Sequence, residues 1–270
     1  MTSPLRSPSA RRRLRTGAAA FAAATALGAL AIGQLGAGAS VERGRARADV
    51  LVGADNDNAN NTAIQDPAVT AKQHLDNTDL LRGGDGRDLL IGRTGDDVLL
   101  GENSSDILIG GLEGGTAPIP NSDVILGGSG DDINIWAPGD GSDLFDGELG
   151  NDTMVLSQVV NTAGEVTQFD FNGRKIPHVT IDNRPQFSCT IERSPAIDGL
   201  NVDEVVRFFA GGNLAVTIRL LGTEQVLCPS PNVGMVNVAH VAAGQDTFTE
   251  VPIASFTGDL GAILGNGAVL

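Results

Sequence analysis

The sequence predicts an all-β chain: a turn-rich solenoid of very short strands followed by a β-rich C-terminal segment. Three observations carry that expectation. Aspartates recur at a fixed offset, mostly nine residues, through the middle of the chain. Glycine is abundant at 36 of 270 residues, while aromatic residues make up only 4% and tyrosine is absent. Burial must therefore rest on Leu, Ile and Val in a backbone-dominated architecture. Beyond the repeat, apolar residues alternate in short runs, the pattern of half-buried strands.

From the N terminus, Arg6, Arg11, Arg12, Arg13 and Arg15 precede an Ala-rich apolar stretch from Gly17 to Gly33, with no acid before Glu42. A basic region, an apolar region and a small-residue site in that order predict a signal peptide over residues 1–39. Ala37-Gly38-Ala39 offers cleavage before Ser40, and Ala46-Arg47-Ala48 a later site before Asp49. The stretch is too weakly apolar for a good membrane anchor, so the expected mature chain is secreted, with no membrane span. Its arginine run is only loosely similar to a twin-arginine export signal.

Residues 49–78 read as a degenerate first rung and a loop. Asp49-Val50-Leu51-Val52-Gly53 repeats the local pattern of Asp97-Val98-Leu99-Leu100-Gly101. The Asn- and Asp-rich segment from Ala54 to Asp76 lacks the central Gly and final Glu of an EF-hand and is expected to be a solvated loop.

The repeat proper spans residues 79–155. Its aspartates are Asp79, Asp88, Asp97, Asp106, Asp123, Asp132, Asp143 and Asp152. Each is followed by apolar residues and usually preceded by glycines, as in Gly83-Gly84-Asp85-Gly86-Arg87-Asp88-Leu89-Leu90-Ile91. The same frame recurs with turn glycines Gly92, Gly95, Gly127, Gly130, Gly141, Gly147 and Gly150 beside Gly83 and Gly86. Six residues with glycine at the first and fourth positions suit a tight turn using left-handed backbone angles, and the last three suit a short strand.

This G-G-x-G-x-D-x-U-x pattern resembles the repeats-in-toxin, or haemolysin-type, calcium-binding family. The resemblance implies a right-handed parallel β-roll in which calcium sits between stacked turns two units apart. Carried onto this chain, it pairs Asp79 with Asp97, Asp88 with Asp106, Asp97 with Asp123, Asp106 with Asp132, Asp123 with Asp143, and Asp132 with Asp152. Six sites is the upper limit, and about four ions are expected because several turns depart from the pattern. Ser104, Asn77 and Asn121 replace the fourth-position glycine, which makes the Asp106 turn the weakest. Asn134 takes an inward position usually held by an aliphatic, and Trp136-Ala137 adds two residues, so a shift of face is expected there. On this scheme Asp97 serves two sites and Asp152, at the end, serves one.

Residues 156–270 are expected to form a β-rich capping or binding domain, because an open last rung exposes a strand edge and a core cross-section. Strands are predicted over Val166 to Phe171, His178 to Ile181, Val205 to Phe209, Leu214 to Leu221 and Val233 to Val241. Phe256 to Leu270 reads as a last strand or a tail. Cys189 and Cys228 are the only cysteines and, in an exported chain, are expected to form a disulfide.

The charge and the motifs narrow the function. A formal charge of −15 gives no basic footprint for nucleic acid, and hard cations are its natural counterparts. No H-E-x-x-H or G-x-S-x-G occurs, and His74, His178 and His240 are scattered, so no enzyme is expected. The leading reading is a secreted calcium-binding protein in a structural, adhesive or binding role with an unidentified extracellular or cell-surface partner. The alternative is a calcium-dependent hydrolase with a C-terminal active site.

Overall fold

The computed structural model describes residues 41–44, 50–52, 79–92, 96–111, 122–136, 140–159, 161–162, 165–166, 168–171, 174–177, 179–181, 185–193, 196–197 and 200–264. The expected signal peptide and its cleavage sites, the 54–76 loop, Asn77, Gly95, Asn121, His74 and His178 lie outside the described residues.

The repeat folds as a parallel β-roll. Its strands are β1 (Val41–Arg43), β2 (Val50–Val52), β3 (Leu80–Asp85), β4 (Leu89–Ile91), β5 (Val98–Asn103), β6 (Ile107–Ile109), β7 (Val124–Ser129), β8 (Ile133–Trp136), β9 (Leu144–Leu149) and β10 (Thr153–Leu156). Successive strands go to opposite sheets, so β1-β3-β5-β7-β9 run side by side in one and β2-β4-β6-β8-β10 in the other. All these neighbours are parallel, and homologous residues lie opposite one another, as Leu81↔Leu99 and Leu90↔Leu108 do. The degenerate rung at 50–52 is in register with this array, Leu51 opposite Leu90.

One residue of each three-residue strand motif faces between the sheets: Leu81, Leu90, Leu99, Leu108, Ile125, Phe145 and Met154 share one core. Asn134 occupies that row as well, opposite Leu108 and Met154 and 1% exposed. The expected shift of face does not occur. Ile133 and Ile135 stay on the outer side with Leu89 and Ile107, because the parallel backbone ladder fixes the register on both sides of the strand.

The C-terminal segment contains β11 (Gln158–Val159), β12 (Asn161–Thr162), β13 (Glu165–Val166), β14 (Gln168–Phe171), β15 (Arg174–Pro177), β16 (Val179–Thr180), β17 (Phe187–Arg193), β18 (Ala196–Ile197) and β19 (Leu200–Asn201). It continues through β20 (Glu204–Ala210), β21 (Asn213–Leu221), β22 (Gln225–Pro229), β23 (Met235–His240) and β24 (Thr249–Pro252). The short strands pair as ribbons β11-β16, β12-β13, β14-β15 and β18-β19. The longer ones extend the roll: β21 adds parallel to β9 and β22 parallel to β10, forming one more rung without a nonapeptide. Antiparallel strands follow on each side, β20 and β17 on one sheet, β23 and β24 on the other.

The core is therefore continuous. Val206, Phe208, Ile218, Leu220 and Val226 join the inward row of the roll, and Phe208 packs on Trp136 with ring centroids 5.1 Å apart. Cys189 on β17 and Cys228 on β22 form a disulfide that ties one sheet to the other. A crosslink spanning 39 residues contributes about 3–4 kcal/mol by loop-closure arguments.

The final stretch forms neither a strand nor a tail over its described part. Gly258–Ile263 is a short helix, α1. Ile263 and Leu264 bury against the apolar outer residues of the second sheet, among them Leu89, Ile91 and Ile109. Asp259 in its first turn pairs with Arg87 of the first nonapeptide turn, which anchors the helix across the roll.

Candidate metal centre

The turns of each edge stack two units apart, and the aspartates form two ladders. The main-chain N–H of Asp79 donates to Asp97 Oδ1 at 2.7 Å, that of Asp97 to Asp123 Oδ1 at 2.7 Å, and that of Asp123 to Asp143 Oδ1 at 2.9 Å. On the other edge Asp88 donates to Asp106, Asp106 to Asp132 and Asp132 to Asp152, at 2.7, 2.7 and 2.8 Å. These hydrogen bonds join the same six pairs that the family resemblance implies. The carbonyls are occupied too: Asp88 O accepts from Ile107 N and Asp106 O from Ile133 N, each at 2.9 Å. Every ladder aspartate is at most 1% exposed.

One oxygen each of Asp97, Asp106, Asp123, Asp132, Asp143 and Asp152 thus accepts from a backbone amide. At Asp88, Asp97, Asp106, Asp123, Asp132 and Asp152, Oδ2 faces the first glycine of its own turn. Oδ2 of Asp106, Asp132 and Asp152 is buried with no hydrogen-bond partner. A Cβ built on Gly101 would stand 2.5 Å from Asp106 Oδ2 and 2.4 Å from the carbonyl oxygen of Gly127. One on Gly127 would meet Asp132 Oδ2 at 2.5 Å and Gly147 O at 2.9 Å. The space beside each first glycine is lined by oxygens and closed to a side chain.

This changes the reason for the glycines. The first glycine is needed for room, since Gly83, Gly92, Gly101, Gly127 and Gly147 all face their own ladder carboxylate at 2.6 Å or less. Left-handed angles fall at the second and fourth positions, as at Gly84 (φ 102°) and Gly86 (φ 122°). In the third unit Glu102 and Ser104 take those angles without being glycine, at φ 77° and 85°. The Asp106 turn therefore closes like its neighbours but with backbone strain.

Electrostatics follow from this packing. Burial pushes the Asp106 and Asp152 carboxyls up to about 8 and that of Asp132 up to about 7, with neighbouring carboxylates adding to each. Asp123 is held well above the ordinary range, first by burial and then by Asp143, Asp140 and Asp97. Buried carboxylate oxygens stacked without donors are costly unless a cation or a proton lies among them.

Two acids were not read from the sequence. Glu224 continues the second ladder: Asp152 N–H donates to Glu224 Oε2 at 2.9 Å, so Asp152 stands between two acids and is not the end of the ladder. Asp140, in the turn before Asp143, lies with Asp123 and Asp143 so that one oxygen of each is within 4.8 Å of the others. Its presence in the turn Gly139-Asp140-Gly141 was the available signal. Gly130 and Gly150 lie against each other on adjacent turns, Gly150 within 1.5 Å, by its would-be Cβ, of Gly130 O. Gly141 carries the carbonyl that accepts from Trp136 Nε1 at 2.9 Å.

A stack of glycine turns presenting carbonyl and carboxylate oxygens, on two parallel sheets, defines a calcium-binding β-roll: hard divalent cations take six to eight oxygen ligands of these kinds. Residues 78–116, 121–133 and 139–155 match the RTX calcium-binding nonapeptide repeat, in four copies, and this part of the chain is an array of those repeats. The gaps in the match, residues 117–120 and 134–138, fall where the spacing between successive aspartates exceeds nine, between Asp106 and Asp123 and between Asp132 and Asp143. Comparison of the whole chain with curated proteins gives no match.

Proposed function

We propose that this is a secreted protein in which calcium, held by Asp79, Asp88, Asp97, Asp106, Asp123, Asp132, Asp143 and Asp152 together with turn carbonyls, folds and rigidifies the roll for a structural, adhesive or binding role. One observation carries the reading: Oδ1 of Asp106, Asp132 and Asp152 accepts from the amide two units back, while Oδ2 of each is buried without a donor, beside a carbonyl oxygen at Asp106 and Asp132. Calcium supplies the charge those oxygens lack. About four ions, and at most one for each of the six aspartate pairs, are expected.

Secretion is supported by the placement of β1, which begins at Val41, two residues after the end of the Ala37-Gly38-Ala39 site. Cleavage before Ser40 keeps this edge strand, and cleavage before Asp49 removes it. No described helix is long and apolar enough to cross a membrane. The reading assigns residues 156–270 as the cap or binding segment and gives it no catalytic role.

Calcium counting on the exported protein by equilibrium dialysis tests this function. Several ions per chain are expected, with fewer in Asp132→Asn. Absence of bound calcium at millimolar concentration would overturn the reading.

A further inference from the structure

We infer that Asp123, Asp140 and Asp143 form a three-carboxylate cation site that fills before the rest of the roll, with Asp140 as a ligand that the nonapeptide pattern does not include. The inference rests on the calcium reading above and adds an order of filling to it.

Asp140 falls at the third position of its unit, where the other turns place half-exposed or exposed residues: Asp85, Asn103, Ser129 and Leu149. Asp140 is 5% exposed. Its Oδ2 accepts from Gly111 N–H at 3.1 Å, which draws the side chain across to the neighbouring turn. Its Oδ1 is buried with no hydrogen-bond partner, as is Asp123 Oδ2. Gly110 gives the space, since a Cβ there would lie 2.1 Å from Asp123 Oδ2. Three acidic side chains thus converge where the other rungs bring two, and among the described residues no other such group of three occurs.

Calcium affinity rises with the number of charged ligands and the rigidity of the site. Three formal charges on one divalent ion leave a net negative site, which favours a trivalent lanthanide even more strongly. Rigidity comes from Trp136: its indole N–H donates to Gly141 O, between Asp140 and Asp143, and its ring is locked in the core against Phe208. Trp136 is also the one tryptophan of the sequence. Excitation of its indole therefore reports on this site in preference to sites further along the ladders, because energy transfer to a bound lanthanide falls steeply with distance.

The test is a terbium titration of the exported protein with tryptophan excitation, alongside Asp140→Asn and Asp152→Asn and with total calcium counted for each. Sensitised emission should saturate with the first equivalent in the wild type and in Asp152→Asn. In Asp140→Asn its midpoint should move about tenfold or more to higher terbium, while the other calcium ions are retained. An unchanged midpoint in Asp140→Asn, or emission that grows only with the last equivalents, would overturn the inference, including the case in which the three acids merely share a proton. A protein that binds no calcium at all would instead overturn the underlying function. Circular dichroism of Asp140→Asn in saturating calcium separates loss of a ligand from loss of fold: a native spectrum with an unchanged midpoint counts against Asp140, and a native spectrum with a shifted midpoint supports it.

Discussion

The main-chain N–H of Asp152 donates to Glu224 Oε2 at 2.9 Å, joining residues 72 positions apart. Glu224 stands where the next nonapeptide aspartate would, and Gln225 N–H bonds Asp152 O at 3.0 Å as the strand residues after each ladder aspartate do. The roll thus passes into the C-terminal strands without a break in its hydrogen bonding.

Glu224→Ala should lower stability in calcium by about 1–3 kcal/mol, because Asp152 loses a charged acceptor. Glu224→Gln keeps an acceptor and loses the charge, so its cost should be smaller. Urea unfolding of both variants in millimolar calcium checks this.

Asn134 offers a change in the opposite direction. Both its side-chain polar atoms are buried without a hydrogen-bond partner, in a row otherwise filled by Leu108, Met154 and their like. Asn134→Leu should stabilise the roll by about 1–3 kcal/mol by removing that desolvation cost with a side chain of the same branching, the type its neighbour Leu108 in the row carries. Thermal unfolding in calcium gives the measurement, with an increase in Tm expected.

How much of this was legible in the sequence follows from what repeats. The six aspartate pairs were readable because the nonapeptide pattern resembles a family whose turns stack two units apart, and that rule holds across separations of 18, 26 and 20 residues. The disulfide was readable because two cysteines leave one pairing. Glu224 was not, since a long non-repeating segment intervenes and Gly222-Thr223-Glu224 shares no motif with the nonapeptides. Alternation identified the later strands as strands but carried no information on their partners, so the joining of β21 and β22 to the roll's own sheets was invisible. Helix α1 was hidden for a related reason: two of its six residues are glycine, and its burial depends on the outer face of a sheet far away in sequence. The first-position glycines were assigned to backbone angle when the constraint is the carboxylate beside them.

Acid and calcium should act in opposite senses. Asp106, Asp132 and Asp152 have folded-state pKa values raised to about 8, 7 and 8, mainly by burial. A raised carboxyl binds its proton more tightly in the folded chain. Without calcium, its contribution to stability is full below the ordinary carboxylate range near pH 4 and is lost as pH rises through about 7–8. Stability in chelator should therefore fall from about pH 5 to about pH 8, whereas in millimolar calcium it should rise, because the ion competes with those protons. Proton release on adding calcium at about pH 7, followed in weak buffer, provides a second check.

The central claim is that calcium binding to the ladders supplies the folding free energy of the roll. The three-residue strands bury little apolar area against chain entropy, and the stacked carboxylates oppose compaction until a cation lies among them. Amide hydrogen exchange across residues 83–155, compared in chelator and in millimolar calcium, tests this most directly. The amides of Asp88, Asp106 and Asp132, which close the ladder, should exchange quickly in chelator and become strongly protected in calcium. Equal protection of these amides under the two conditions would contradict the account.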